Sequence, residues 1–271
     1  MIIHTNQISR KLIEEQLPGG FHGRKVFLKP NLVMPKTKWE RASSTDISLI
    51  EAVIQVLLDQ GASIIIGDCG FKDQWQATIY LSKYDVLPKK YGVELIGLQE
   101  GKRFHEFTLV RANHQYKSLF GVKISDVVLS CDAIINLPKL KVHKMALVTG
   151  AIKNMMGIIA QKGNMHPRGS IEILHKRLHD LYFIMKDKVS FCIMDGIVGS
   201  EYSEHYGLPV QSNIIITSED MWGMDCQAAN FIGINPQEVP YLRWIKETLG
   251  IPYPTLTAPP YHYERPLGWR K

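Results

Sequence analysis

The densest collection of side chains able to do chemistry lies between Asp132 and Gly157, in the stretch DAIINLPKLKVHKMALVTGAIKNMMG. Lys139, Lys141, Lys144 and Lys153 fall within fifteen residues that contain no Asp or Glu, with Asn136, His143, Thr149 and Asn154 close by. Cations without local acidic partners, next to an apolar run, point to a place for an anion, because an ammonium group donates charge-assisted hydrogen bonds to carboxylate or phosphate oxygens. His143 adds a group able to take and return a proton near neutral pH. Lys139 and Lys141 are thus candidate anion ligands, His143 a candidate acid or base, and Lys153 and Asn154 candidate ligands from the segment that follows. The ordinary alternatives are a solvated basic loop for the first three and a solvent-facing helix side for the last two.

Three more strand ends share the same setting. Lys29 and Asn31 flank Pro30 after the apolar run at Val26–Leu28, and Asp68 and Asp195 each end an apolar run, two residues before Gly70 and directly before Gly196. Either acid could act as a base, orient a lysine or contribute to a cation site. Either could equally cap a helix, and Asn31 could bond locally in a turn. Glu201 and His205 are weaker candidates, in a loop read over 199–209. His175 and His179, four apart on a helix, have a chelating spacing but lack the glutamate of H-E-x-x-H. No metal site is read from them.

The elements that must position these groups follow from periodicity. Apolar runs at 26–29, 62–67, 133–137 and 189–194 are too continuous for half-exposed strands and suit a parallel sheet covered on both faces. Pro138, lacking an N–H, ends the third run. Helices are expected over 7–17, 46–60, 74–84, 170–186, 220–232 and 236–249, with further strands at 93–98 and 213–217. A hairpin or flap is expected over 103–125, and polar loops over 34–44 and 161–169. Strands alternating with helices give an α/β class, a mostly parallel sheet with helices on both faces. The chain reads as one domain over 1–271, with room for two lobes around a cleft and an irregular tail over 251–271. In such sheets, ligands bind beyond the carboxyl ends of the strands. Lys29, Asp68, Lys139, Lys141, His143 and Asp195 are expected to converge there.

Composition narrows the classes. With 45% hydrophobic and 21% charged residues, the chain is a globular protein, not a disordered one. The net charge of +6 is spread along the chain. Aromatic residues do not interleave with the basic stretch, which argues against a nucleic-acid surface. Cys69, Cys131, Cys192 and Cys226 form no C-x-x-C pair, so no iron–sulfur cluster is expected and the thiols read as reduced and buried. Neither a signal peptide nor a membrane span is evident, which suits a cytoplasmic protein.

Taken together, several motifs resemble the family catalogued as "domain of unknown function 362". They are KPN at 29–31, IGDCG at 66–70, LPKLKVH at 137–143, TGAIKNMMG at 149–157, MDGIVG at 194–199, and Asp220 and Asp225 followed by GINPQEVPYL. The resemblance runs from about residue 25 to 250. It implies the fold and the site rather than a reaction, because the family has no general assigned activity. Many members carry a ferredoxin-like segment with cluster cysteines, which this chain lacks. SEYSEHYGLP after Gly199 departs from the family's glycine- and proline-rich pattern and suggests a different substrate. Met221-Trp222-Gly223 departs from its usual small and apolar residues. More distantly, the strand–loop–helix order resembles the nickel-pincer lactate racemases. Two functions remain open: an enzyme acting on a small anionic metabolite in a basic cleft, or a non-catalytic protein that binds or senses such a ligand.

Overall fold

The computed structural model describes residues 1–33, 40–70, 74–98, 106–113, 115–160, 165, 170–203, 207–255 and 261–265. Its strands are β1 (Ile2–His4), β2 (Lys25–Pro30), β3 (Ser63–Asp68), β4 (Glu94–Gly97), β5 (Phe107–Arg111), β6 (Gly121–Ser125), β7 (Ala133–Leu137), β8 (Lys139–His143), β9 (Leu147–Thr149), β10 (Val189–Glu201) and β11 (Leu208–Ser218). Its helices are α1 (Arg10–Glu14), α2 (Glu40–Ser43), α3 (Ile47–Asp59), α4 (Trp75–Leu81), α5 (Leu87–Tyr91), α6 (Asp126–Leu129), α7 (Ala151–Asn154), α8 (Ile171–Met185), α9 (Met221–Phe231) and α10 (Pro240–Leu249).

The fold is the expected α/β arrangement. One sheet runs in the order β1-β11-β10-β7-β2-β3-β4, with β8 paired to β10 and β9 paired to β8. The ladders joining β10, β7, β2, β3 and β4 are parallel, as is β10 with β8. Antiparallel pairs lie at one margin, where β11 joins β10 and β1, and at β8–β9. The four runs expected at the centre are the contiguous strands β10, β7, β2 and β3. Successive side chains alternate between faces. Phe27, Ile65, Ile134 and Cys192 therefore pack with α7, α8, α9 and α10 on one side. Val26, Leu28, Ile64, Ile66 and Ile135 pack with α1, α3, α4 and α5 on the other. Both faces are covered, as the continuous apolar runs require.

Local chemistry sets the helix ends. Asp46 caps α3 by accepting the Ser48 N–H at 3.0 Å, and Gly61 at φ +77° turns the chain out of it. Ser170 caps α8 and Asp220 caps α9 in the same way. The leading helix is shorter than the expected 7–17, because Ser9 caps it by accepting the Leu12 N–H. The expected 236–249 helix is divided: Pro236–Glu238 is a single 3-10 turn and α10 starts anew at Pro240.

Three expectations about loops are corrected. Pro138 does end β7, but the chain re-enters the sheet at once as β8, so the basic stretch is a strand and not a loop. The interruption is covered because the Pro138 carbonyl accepts the Asp195 N–H at 2.9 Å. Likewise the loop read over 199–209 is narrower than expected among the described residues, with β10 running on to Glu201 and β11 starting at Leu208. Within the 103–125 flap, β5 and β6 form a separate antiparallel ribbon. The expected loop over 34–44 is described only from residue 40 on, and there it is corrected, since α2 occupies Glu40–Ser43. Of the expected loop over 161–169 only residue 165 is described, and His205 lies outside the described residues. The four cysteines are free thiols. No described helix is long and apolar enough to cross a membrane.

Candidate functional site

Parallel neighbours bring their C-terminal ends to one edge, and register decides which residues meet there. Lys29 of β2 lies opposite Asn136 of β7, and Asp195 of β10 lies opposite Lys139 of β8. Lys139, Lys141 and His143 are two residues apart, so they share one face of β8. None reaches bulk solvent: their exposures are 1%, 1% and 2%.

Burying an ammonium group is costly unless it is paired. The acids that pair two of these lysines come from distant parts of the sequence. Lys29 Nζ donates to Asp68 Oδ2 at 2.9 Å and to the Pro30 carbonyl at 2.6 Å. Asp68 also accepts the Leu32 and Gly70 N–H groups. Lys139 Nζ donates to Asp195 Oδ2 at 2.6 Å, and the same oxygen accepts the Asp46 N–H at 2.8 Å, at the start of α3. The reading of charge without acidic partners is thereby corrected for Lys139: the fifteen residues from Lys139 to Lys153 hold no acid, but Asp195 supplies one across the sheet edge, as Asp68 does for Lys29. Lys141 Nζ donates to Asn31 Oδ1 at 2.9 Å and to the Ser43 carbonyl at 2.8 Å.

Asn154 ties these groups together. Its amide nitrogen donates to the Lys29 carbonyl at 3.0 Å and to Asn136 Oδ1 at 2.7 Å, and its oxygen accepts from Asn31 at 3.1 Å and Lys29 at 3.4 Å. Asp68, Lys29, Asn154, Asn31 and Lys141 thus form one buried network. Lys139 and Asp195 form a second cluster, held to α3 through Asp46. Lys153 is half-buried on α7, and the bonds of the first network come from its neighbour Asn154. His143 Nδ1 accepts the N–H groups of both Met145 and Ala146 at 3.0 Å. That fixes the proton of the neutral ring on Nε2 and leaves Nε2 as its proton-carrying end.

The Lys139–Asp195 cluster lines an open pocket of about 200 Å³, together with Gln7, Asp46, Ser48 and Ile197. Chemically, a carboxylate and an ammonium group at 2.6 Å can exchange a proton, and the ammonium can share its donors with a second anion.

Three contributors are given no role in the site by the sequence. Asn136 stood among the polar residues of the stretch without a role; an Asn inside the apolar strand AIINL is itself the signal. Asp46, the cap of α3, also donates its N–H to Asp195. Asp225 is fully buried and accepts N–H groups from α7. His175 and His179 bond within the core: His175 Nε2 bonds the Met145 carbonyl, and His179 bonds Asp180 and Thr248. Among the described residues, no group of three or more His, Cys, Asp or Glu is arranged to hold a metal. Glu201 accepts the Glu264 N–H from the C-terminal segment.

Residues 26–230 match the family described as Domain of unknown function (DUF362). A curated relative, the thylakoid-associated protein sll1697 of Synechocystis, is 24% identical over 234 residues, which are 84% of this chain and 69% of the relative. Among solved structures, a Thermotoga maritima protein aligns over 90% of this chain at 13% identity and a TM-score of 0.48. The lactate racemase apoprotein of Thermoanaerobacterium thermosaccharolyticum aligns over 80% at 12% identity and a TM-score of 0.45. The chain spans only 60% and 52% of the lengths of those two proteins.

Proposed function

The chain belongs to the DUF362 family, and from that premise we propose that it is an enzyme acting on a small anionic metabolite in the pocket beside the start of α3. Lys139 holds the anion and Asp195 keeps the ammonium group in place, able to exchange a proton with it. The observation that carries this reading is that the Lys139–Asp195 pair, buried as it is, lines an open pocket at the carboxyl edge of a parallel sheet. An anion entering there meets an ammonium group already oriented by a carboxylate, so little ordering is left to be done on binding. The Asp68–Lys29–Asn154–Asn31–Lys141 network stands behind it as a rigid support.

Removing only one partner would leave a buried charge unpaired, at about 3–5 kcal/mol. The test therefore replaces both, as Lys139→Met with Asp195→Asn. Phosphate, acetate and malonate are titrated into wild type and double variant at low salt. Wild type is expected to bind at least one of them, with an affinity at least ~10-fold above that of the double variant, the equivalent of about 1.4 kcal/mol. Equal affinity in the two proteins rejects the site. Incubation with a metabolite extract then separates the two functions: an anion consumed by wild type alone supports the enzyme, whereas binding without consumption supports a binding protein.

A further inference from the structure

Asp225 lies on α9, outside the pocket, and is fully buried. Its carboxylate reaches across to the first turn of α7. Oδ1 accepts the Ala151 N–H at 2.5 Å, Oδ2 accepts the Ile152 N–H at 3.2 Å, and the Tyr241 hydroxyl of α10 donates to Oδ2 at 3.1 Å. The N-cap residue of α7 is Gly150, which has no side chain with which to cap it. The first N–H groups of a helix lack partners within it and need an acceptor from elsewhere. Here that acceptor comes from 74 residues away in the sequence. The chain is shaped to admit it, since a methyl group at Gly150 would overlap the Asp225 carboxylate. Three residues after Ala151 stands Asn154, which bonds Lys29, Asn31 and Asn136 together.

We propose that Asp225 is a positioning residue for the candidate site: it fixes the first turn of α7, and so the place of Asn154, from the far side of that segment. The inference rests on the proposed site for its functional consequence, but its structural half stands without it. Asp225 touches no group of the pocket, so its effect passes through α7. Tyr241 steadies the carboxylate from α10, which joins two C-terminal helices to the support of the site. Burial makes Asp225 an expensive acceptor, with its pKa pushed up to about 7. A neutral cap supplied locally would close the helix at lower cost.

The test uses Asp225→Asn, which keeps the shape and loses one acceptor, and Gly150→Ala, which leaves Asp225 intact but displaces it. Leu87→Ala, in the core on the opposite face, serves as the stability control. Hydrogen exchange followed by mass spectrometry is expected to show amides of 150–158 exchanging at least ~10-fold faster in both Asp225→Asn and Gly150→Ala, with α3 unchanged. Leu87→Ala should leave 150–158 as in wild type. Phosphate, acetate or malonate, whichever binds wild type best, should bind both variants at least ~10-fold more weakly and bind Leu87→Ala normally. Unaltered exchange over 150–158 overturns the proposal whether or not any anion binds. Faster exchange with anion affinity unchanged overturns its functional half. If wild type binds none of the three probes, the proposed function fails, and exchange still decides whether Asp225 holds α7.

Discussion

Burial acts in opposite senses on Asp225 and His175. It pushes the Asp225 carboxyl from its ordinary 3.8 up to about 7, and holds the His175 imidazole down from 6.5 to about 4. The contribution of Asp225 is therefore fully present below the unfolded value and lost as pH rises through about 7. That of His175 is present above 6.5 and lost as pH falls towards 4. Between about 4 and 6.5, folding takes up one proton at Asp225 and releases one at His175, so two slopes of about 1.4 kcal/mol per pH unit cancel. Taking either residue out should uncover the other. Relative to wild type, Asp225→Asn is expected to lose stability on acidification from pH 6.5 to 4.5, by about 1.4 kcal/mol per unit. His175→Asn should gain it at a similar rate. Urea unfolding at three pH values measures both, and parallel profiles for wild type and Asp225→Asn would mean that Asp225 is as ionised in the folded chain as in the unfolded one over this range. Such opposition between groups on different helices is invisible in sequence, where Asp225 stands out only as part of a motif with Asp220 and carries no sign of its burial.

At the scale of elements, the apolar runs showed themselves because a strand buried on both faces cannot hide its composition. The glycines of the later strands misled. Gly196 and Gly199, beside Asp195, look like turn signals, yet they lie within β10 and serve close approach. A methyl at Gly196 would lie 2.8 Å from the Ile214 side chain, and one at Gly199 would overlap the Tyr263 hydroxyl. Pro138 misled in a different way, since it breaks the strand but not the sheet. The site was legible as a set of polar residues after apolar runs. Its pairings were not, because Lys29–Asp68 and Lys139–Asp195 depend on register between strands far apart in sequence. Gly157 tests this packing directly. A methyl there would overlap Asp68 Oδ1 and lie 2.6 and 2.7 Å from Lys29 Cε and Nζ, both held in the buried pair. Gly157→Ala is thus expected to destabilise by about 1–3 kcal/mol through overpacking, read by urea unfolding. A cost near zero would mean that the pair yields easily and is no rigid support.

Over the whole molecule, one sheet carries two cores, and the last described segment closes the margin where parallel order gives way to antiparallel. The sequence suggests an irregular tail over 251–271; its described residues, 251–255 and 261–265, form neither helix nor strand. Irregular does not mean loose. Tyr263 is 5% exposed and packs with the core that contains Phe231, Ile232 and Ile234. Its N–H bonds the Ile232 carbonyl at 3.2 Å, and its hydroxyl bonds Ser212 of β11 in the space left by Gly199. On either side, Tyr261 stacks on Phe231, and the backbone of Glu264 joins Tyr202 and Glu201. The segment thereby straps the end of α9 to the β10–β11 hairpin, whose β10 strand carries Asp195. Tyr263→Phe deletes only the hydroxyl and should cost about 0.5–1.5 kcal/mol. Tyr263→Ala leaves a cavity in the core and should cost about 3–5 kcal/mol. Limited proteolysis adds a local reading: in Tyr263→Ala the C-terminal segment should be cut well before the remainder of the chain, and in Tyr263→Phe it should stay protected. If the alanine variant unfolds within 1 kcal/mol of wild type and its tail is cut no faster, the strap is only surface contact, and the margin bearing Asp195 is held by the sheet alone.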